Sequence, residues 1–136
     1  MALQFSVAVR NAMLDGIETA TGTSAILKIR TGAQPATCAT ADSGTVLATI
    51  NLASDWAAAA SGGTKARSGL PVTNASADAT GTAAHFRLYA SDGTTCHEQG
   101  TVTITGGGGD LTVDSTSFTI AQVFNITAWT WTAPGA

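Results

Sequence analysis

Residues 84–105, AHFRLYASDGTTCHEQGTVTIT, decide the fold class of this chain. Two runs of alternating residues flank Asp92-Gly93. Asp-Gly suits a two-residue type I′ turn, whose central residues both need φ > 0, so the stretch predicts a β-hairpin. Counting outward from that turn pairs Tyr89 with Cys96 and Arg87 with Glu98. An Arg and a Glu directly opposite on one face form a favourable cross-strand pair, so Arg87 and Glu98 are the expected structural pair of the hairpin. His85 shares the face of Arg87 and Tyr89, which reads as a polar sheet surface. Past Gly100 the apolar positions Val102 and Ile104 share parity with Glu98, and a bulge at Gly100 would reset the faces.

The same period of two extends along most of the chain. Residues 25–30 place Leu27 and Ile29 on one face and Lys28 and Arg30 on the other. Residues 45–52 turn Val46, Ala48, Ile50 and Leu52 inward, and short strands are read near 70–73 and 110–113 and around Phe118. Residues 54–60 read as one helical turn, stopped by Gly62-Gly63. Gly106 to Gly109 read as a flexible connection, or as a loop that orders only against a neighbouring subunit. In the last strand, 122–132, Phe124, Ile126 and Ala128 fall on one face and Val123, Trp129 and Trp131 on the other. Apolar residues on both faces imply burial on both sides, or a face kept for another chain.

Only the first twenty residues carry a helical period. Ser6 is a natural N-cap, Phe5, Val9, Met13 and Ile17 recur along one stripe, and Gly22 supplies a stop. The expected architecture is therefore all-β, a sandwich or jelly roll of about seven to eight antiparallel strands with one short N-terminal helix. It forms a single domain over 1–136, with a helical segment at 1–21 and the sandwich at 25–132.

Composition narrows the function. Charged residues are 11% of the chain, well below the usual quarter or so, while hydrophobic residues are 44%. Sparse charge implies surface covered in the working state, hence a homo-oligomer or larger assembly. Six Lys and Arg in a chain of net charge −3 cannot build a phosphate-binding stripe, so nucleic acid is not an expected partner. Nor is a membrane, for no stretch nears the ~20 apolar residues of a span. Arg10 and Asp15 interrupt the N-terminal apolar run, which does not read as a signal peptide. The expectation is folding in a reducing cytosol, with Cys38 and Cys96 free, a single disulfide between them being the lesser alternative.

No catalytic, cofactor or metal site is expected. Cys96 and His97 alternate to opposite faces, and Cys38 and His85 are the only other soft ligands, short of a structural zinc set. No nucleophile elbow or cysteine-protease signature accompanies the two histidines. The four glycines lack the Lys-Ser/Thr of a phosphate loop. The interface candidates are Phe5, Val9, Met13 and Ile17 on the helix and Trp129 and Trp131 on the last strand, Trp being enriched at protein contacts. A sugar-stacking role for the tryptophans is the competing reading, which would make the chain a carbohydrate-binding or adhesin module.

The runs SVAVRNAMLDGIETATGTSAILKIRTGAQP (6–35) and GTAAHFRLYASDGTTCHEQGTVTITGGGGDLTVDSTSF (81–118), with the Thr/Ala-rich tail, resemble small β-rich virion proteins of tailed bacteriophages, especially capsid decoration or cement proteins. The resemblance lies in composition, length and pattern. It implies a non-enzymatic protein of the virion, assembled in the host cytoplasm and acting as a trimer or other oligomer. Its partner would be the major capsid protein or another virion protein, with a neck, tail or fibre-attachment role as the alternative.

Overall fold

The computed structural model describes residues 3–68 and 72–136. Helix α1 spans Val7–Thr21. The strands are β1 (Ile26–Arg30), β2 (Val46–Asn51), β3 (Thr64–Ala66), β4 (Val72–Ser76), β5 (Gly81–Thr82), β6 (His85–Tyr89), β7 (Cys96–Ile104), β8 (Leu111–Val113), β9 (Ser117–Phe118) and β10 (Val123–Thr132). One curled sheet runs β2-β1-β6-β7-β8-β10-β3, β4 pairs with β10 beside β3, and β5 and β9 make a separate two-stranded sheet. The chain is mainly β with one short helix, as its periodicities predict. The strand expected near 70–73 overlaps β4, and its residues 70 and 71 lie outside the described residues.

The hairpin forms, and Tyr89 faces Cys96 as read from the sequence. The Arg87–Glu98 pairing does not form. Register shifts between Leu88 and Tyr89, so that Leu88 faces Glu98 and Arg87 faces Gln99, leaving His97 as the extra residue of a β-bulge. The turn is also wider than Asp-Gly alone. Only Gly93 takes positive φ (71°), and Asp92 Oδ1 accepts from the amides of Thr94 and Thr95, both at 2.9 Å. Asp92 thus stabilises an open loop through its side chain, and the strands join one step further out than a two-residue turn would place them.

A bulge reverses the faces of everything beyond it. Among the described residues the register shifts at four places, between β4 and β10 and at three others that redirect side chains read from the sequence. Past His97, Glu98, Gly100 and Val102 turn to the face of Phe86 and Leu88. In β10 the register slips between Ile126 and Ala128, making Thr127 the extra residue. Phe124, Ile126 and Trp129 are consequently all buried, with Trp131 packed against the same core. The two apolar faces read from the sequence are one face with a step in it. In β2, Leu47 is the extra residue opposite Ile29 and Arg30, so both Leu47 and Ala48 are buried, while Val46 and Ile50 are only half-buried.

Trp56 stacks on Trp129 (centroids 6.0 Å) and Phe86 meets Trp129 edge-on at 5.5 Å, forming the aromatic end of the core. Residues 54–60 are not helical. Their amides are drawn outward to side chains of α1, with Ala57 and Ala60 donating to Glu18 and Asp15.

Among the described residues β7 and β8 depart from the antiparallel pattern expected of the sheet and pair in parallel. Parallel neighbours ordinarily need a crossover of a dozen or more residues, yet only 105–110 connect these two. The glycine run makes that return. Gly106 and Gly108 take φ of 84° and 81°, and a Cβ on Gly109 would lie 2.7 Å from Thr103 Oγ1 and 3.0 Å from its backbone N. Gly109 N donates to Thr103 Oγ1 (2.9 Å), and the Asp110 carboxylate accepts from Thr101 N and Oγ1. The loop is thus folded onto its own strand rather than free. Gly109→Ala is expected to cost about 1–2 kcal/mol in urea unfolding, because both branches of the short Thr103 side chain, and the backbone N behind them, stand too close to the added methyl.

Candidate interaction surface

Helix α1 begins as the sequence dictates: Ser6 Oγ accepts from Val9 N (3.3 Å) and Gly22 closes it with φ 85°. Its orientation departs from the amphipathic reading at Val9 and Met13, the middle of the expected stripe. Arg10, Leu14 and Thr21 are the buried positions, and Val9 and Met13 are exposed at 44% and 45%. The reason lies in what the helix covers. The irregular stretch 57–63 and the C-terminal strand end leave backbone groups that the sheet does not pair, and the polar side chains of α1 take them up. Asn11, Asp15 and Glu18 accept from the amides of Gly63, Ala60 and Ala57 (2.9, 2.9 and 3.3 Å). Arg10 donates from Nε and Nη2 to the carbonyl of Ala133 (3.2 and 2.8 Å). Beneath them Lys65 Nζ, its side chain 1% exposed, bonds Asp15, Glu18 and the carbonyl of Ala58. Burial opposes the ammonium charge, but the two carboxylates outweigh it and raise the Lys65 pKa.

Docking thus consumes the three charged residues of the helix. What remains outside is Val7, Ala8, Val9, Ala12, Met13, Gly16, Thr19 and Ala20, with Leu3 just ahead of them. Ala8, Ala12, Gly16 and Ala20 recur every fourth residue, a low stripe flanked by Val9 and Met13 that lets another backbone approach closely.

The remaining interface candidates are occupied internally. Phe5 is half-buried with its ring against Gly135, whose carbonyl accepts from Phe5 N at 2.9 Å. Ile17 packs against the core. Trp129 is 1% exposed and Trp131 leans on the same core, their ring centroids 5.0 Å apart. Both indoles donate to Glu98 Oε1, at 3.3 and 2.8 Å. Trp129 is therefore enclosed in the core, and Trp131 is half-buried against it. The parity count missed this because the bulge at Thr127 lies between the two halves of the strand.

Glu98 is the unusual group of that cluster. Burial pushes its carboxyl up to about 7, against the two indole donors that favour its charge, and Oε2 is buried without a hydrogen-bond partner.

The opposite face of the hairpin carries a second cluster. His85, Arg87 and Tyr89, expected on an open polar surface, are buried to 0%, 1% and 0% exposure. Loop 31–45 covers them. Asp42 binds Arg87 Nη1 (2.6 Å), Arg30 Nη2 (2.7 Å) and Tyr89 Oη (2.7 Å), and Arg87 also donates to the carbonyls of Thr40 (3.0 Å) and Cys38 (2.7 Å). Burial works against the Asp42 charge, but Tyr89 and the two guanidinium groups outweigh it and lower its pKa. The Tyr89 phenol, buried and donating to Asp42, is pushed up to about 12. Burial lowers the His85 pKa; its Nδ1 bonds the carbonyl of Gly32 at 2.8 Å, so Nδ1 carries the proton. Arg87's true partner is thus Asp42, a residue no local count could have matched to it.

A cleft of about 630 Å³ lies between the C-terminal half of α1 and residues 54–59, with Asp15, Glu18, Asp55 and Lys65 among its walls. Lys65 is tied up with both helix carboxylates there, so the cleft is the polar seam of the helix dock. Among the described residues no group of three or more His, Cys, Asp or Glu is arranged to hold a metal ion. Among them, too, no helix is long and apolar enough to cross a membrane. No protein-family model matches the chain, and no curated protein or solved structure matches it significantly.

Proposed function

We propose that this chain is a non-enzymatic structural protein that works by docking into a larger assembly through the outward face of α1. The observation that carries this reading is the helix's orientation: its charged residues are spent on Ala57, Ala60, Lys65 and Ala133 of the sheet side, while an uncharged face including Val9, Met13, Ala12 and Gly16 meets solvent. An exposed uncharged apolar face beside a low small-residue stripe is the surface a protein partner covers. The phage resemblance gives the setting: a capsid decoration protein whose partner is the shell of major capsid protein, with the curled sheet as a variant of the sandwich or jelly roll. Binding across joints of the finished lattice, and not to free capsid protein, would favour the closed shell, and many copies would add up modest contacts.

The test is co-sedimentation with intact heads. Wild-type protein is expected to pellet with them and raise their resistance to heat or chelation. Val9→Glu and Met13→Glu should abolish pelleting while changing the protein's own stability by no more than ~0.5 kcal/mol, since both side chains are exposed. Heads equally robust without the protein, but lacking tails, would transfer the role to a neck or tail component. Undiminished pelleting of both variants would sink the helix face as the contact.

A further inference from the structure

Cys38 stands in the loop that covers the polar face of the sheet, and Cys96 opens β7 beneath it. Both residues are half-buried, within reach of a small solute. One guanidinium holds the two together: Arg87 Nε donates to Cys96 Sγ at 3.2 Å and Nη2 to the carbonyl of Cys38 at 2.7 Å. Polar bonds of Asp42, of Arg87 with Thr40, of His85 with Gly32 and of Gln99 with Pro35 also hold the loop to β6 and β7. In this structure both thiols are free.

We propose that Cys38 and Cys96 form a redox-closed latch, an intramolecular disulfide that low-molecular-weight disulfides introduce and thiols remove, locking loop 31–45 onto β7. Cys96 is the attacking sulfur, since Arg87 points at it and can meet negative charge developing there. Its thiolate attacks one sulfur of the small disulfide, forming a mixed disulfide and releasing one thiol. Cys38 then attacks Cys96 Sγ, and its proton leaves with the second small thiol. Two protein thiols are oxidised and one disulfide is reduced to two thiols. Burial first, then contact with Cys96, raises the Cys38 pKa to about 11, which keeps it protonated until the mixed disulfide forms beside it.

This inference does not depend on the docking partner. Full-length protein would be incubated with oxidised glutathione, with dithiothreitol as control, and followed by intact mass, peptide mapping and thermal unfolding. The expected product is a monomer lighter by about 2 Da, with Cys38 and Cys96 in one linked peptide pair and a Tm higher by roughly 5–15 °C, the range for closing a long loop. Cys38→Ser should stop at the glutathione adduct on Cys96. Closure should also protect the Asp42→Asn variant, because the loop is then held covalently. Persistent free thiols, a stable adduct on wild-type protein, or disulfide-linked dimers would each overturn the latch.

Discussion

Raising the pH from about 4.5 to about 7 is expected to remove on the order of 3 kcal/mol of stability through Glu98, and Glu98→Gln to abolish that loss. The sign follows from the direction of the shift. A carboxyl of ordinary pKa 4.5 that is held at about 7 in the folded state binds more protons folded than unfolded across that interval. Its contribution is fully present below 4.5, declines as pH rises through 7, and is constant above. The cause is burial among Trp129, Trp131 and Leu88, where the charged form lacks a partner for Oε2. Gln keeps an oxygen for the two indole N–H groups and cannot ionise. His85 works in the opposite sense, its lowered pKa withdrawing stability as pH falls below its ordinary 6.5. The quantity to measure is therefore the difference in urea unfolding free energy between wild type and Glu98→Gln at each pH. A difference that stays flat from pH 4.5 to 8 would refute the account.

The second large effect belongs to Asp42. Asp42→Asn is expected to cost about 2–3 kcal/mol, because it leaves the buried Arg87 and Arg30 guanidinium groups without a counter-charge. Asp42 itself is 39% exposed, so solvent screens part of that loss and keeps it below the figure for a fully buried pair. Hydrogen exchange should show residues 31–45 losing protection well before the core strands, since the loop's anchor to β6 is what the substitution removes. Arg87→Met tests the cluster from the other side. Removing the buried charge together with its need for a partner should cost less in the Asp42→Asn background than alone, a coupling visible in a double-mutant cycle. Additive losses would mean that the two side chains do not act as a pair.

Both effects trace to the stretch 84–105. Its alternation and its Asp-Gly announce a hairpin, and a hairpin forms there with Tyr89 opposite Cys96. The same count gives Arg87 a partner in Glu98, and the bulge at His97 separates them. Glu98 goes to the tryptophan core, where it meets burial, and Arg87 goes to the opposite face, where Asp42 is waiting. The tryptophans repeat the lesson at Thr127. The helix fails differently: its ends are local and legible at Ser6 and Gly22, but the face it buries was decided by unpaired amides some forty to fifty residues away.

What the sequence by itself determined is that most of the chain is extended, where the 84–105 hairpin turns back and where α1 begins and ends, because propensity, capping and turn chemistry act over a few residues. What only the tertiary structure decided is which way side chains point. A strand's faces depend on a register that one inserted residue inverts, and that residue is chosen by packing against the neighbouring strand. A helix's faces depend on the surface beneath it, which here offered backbone amides rather than an apolar bed, and so turned the charges of α1 inward and left Val9 and Met13 to the outside.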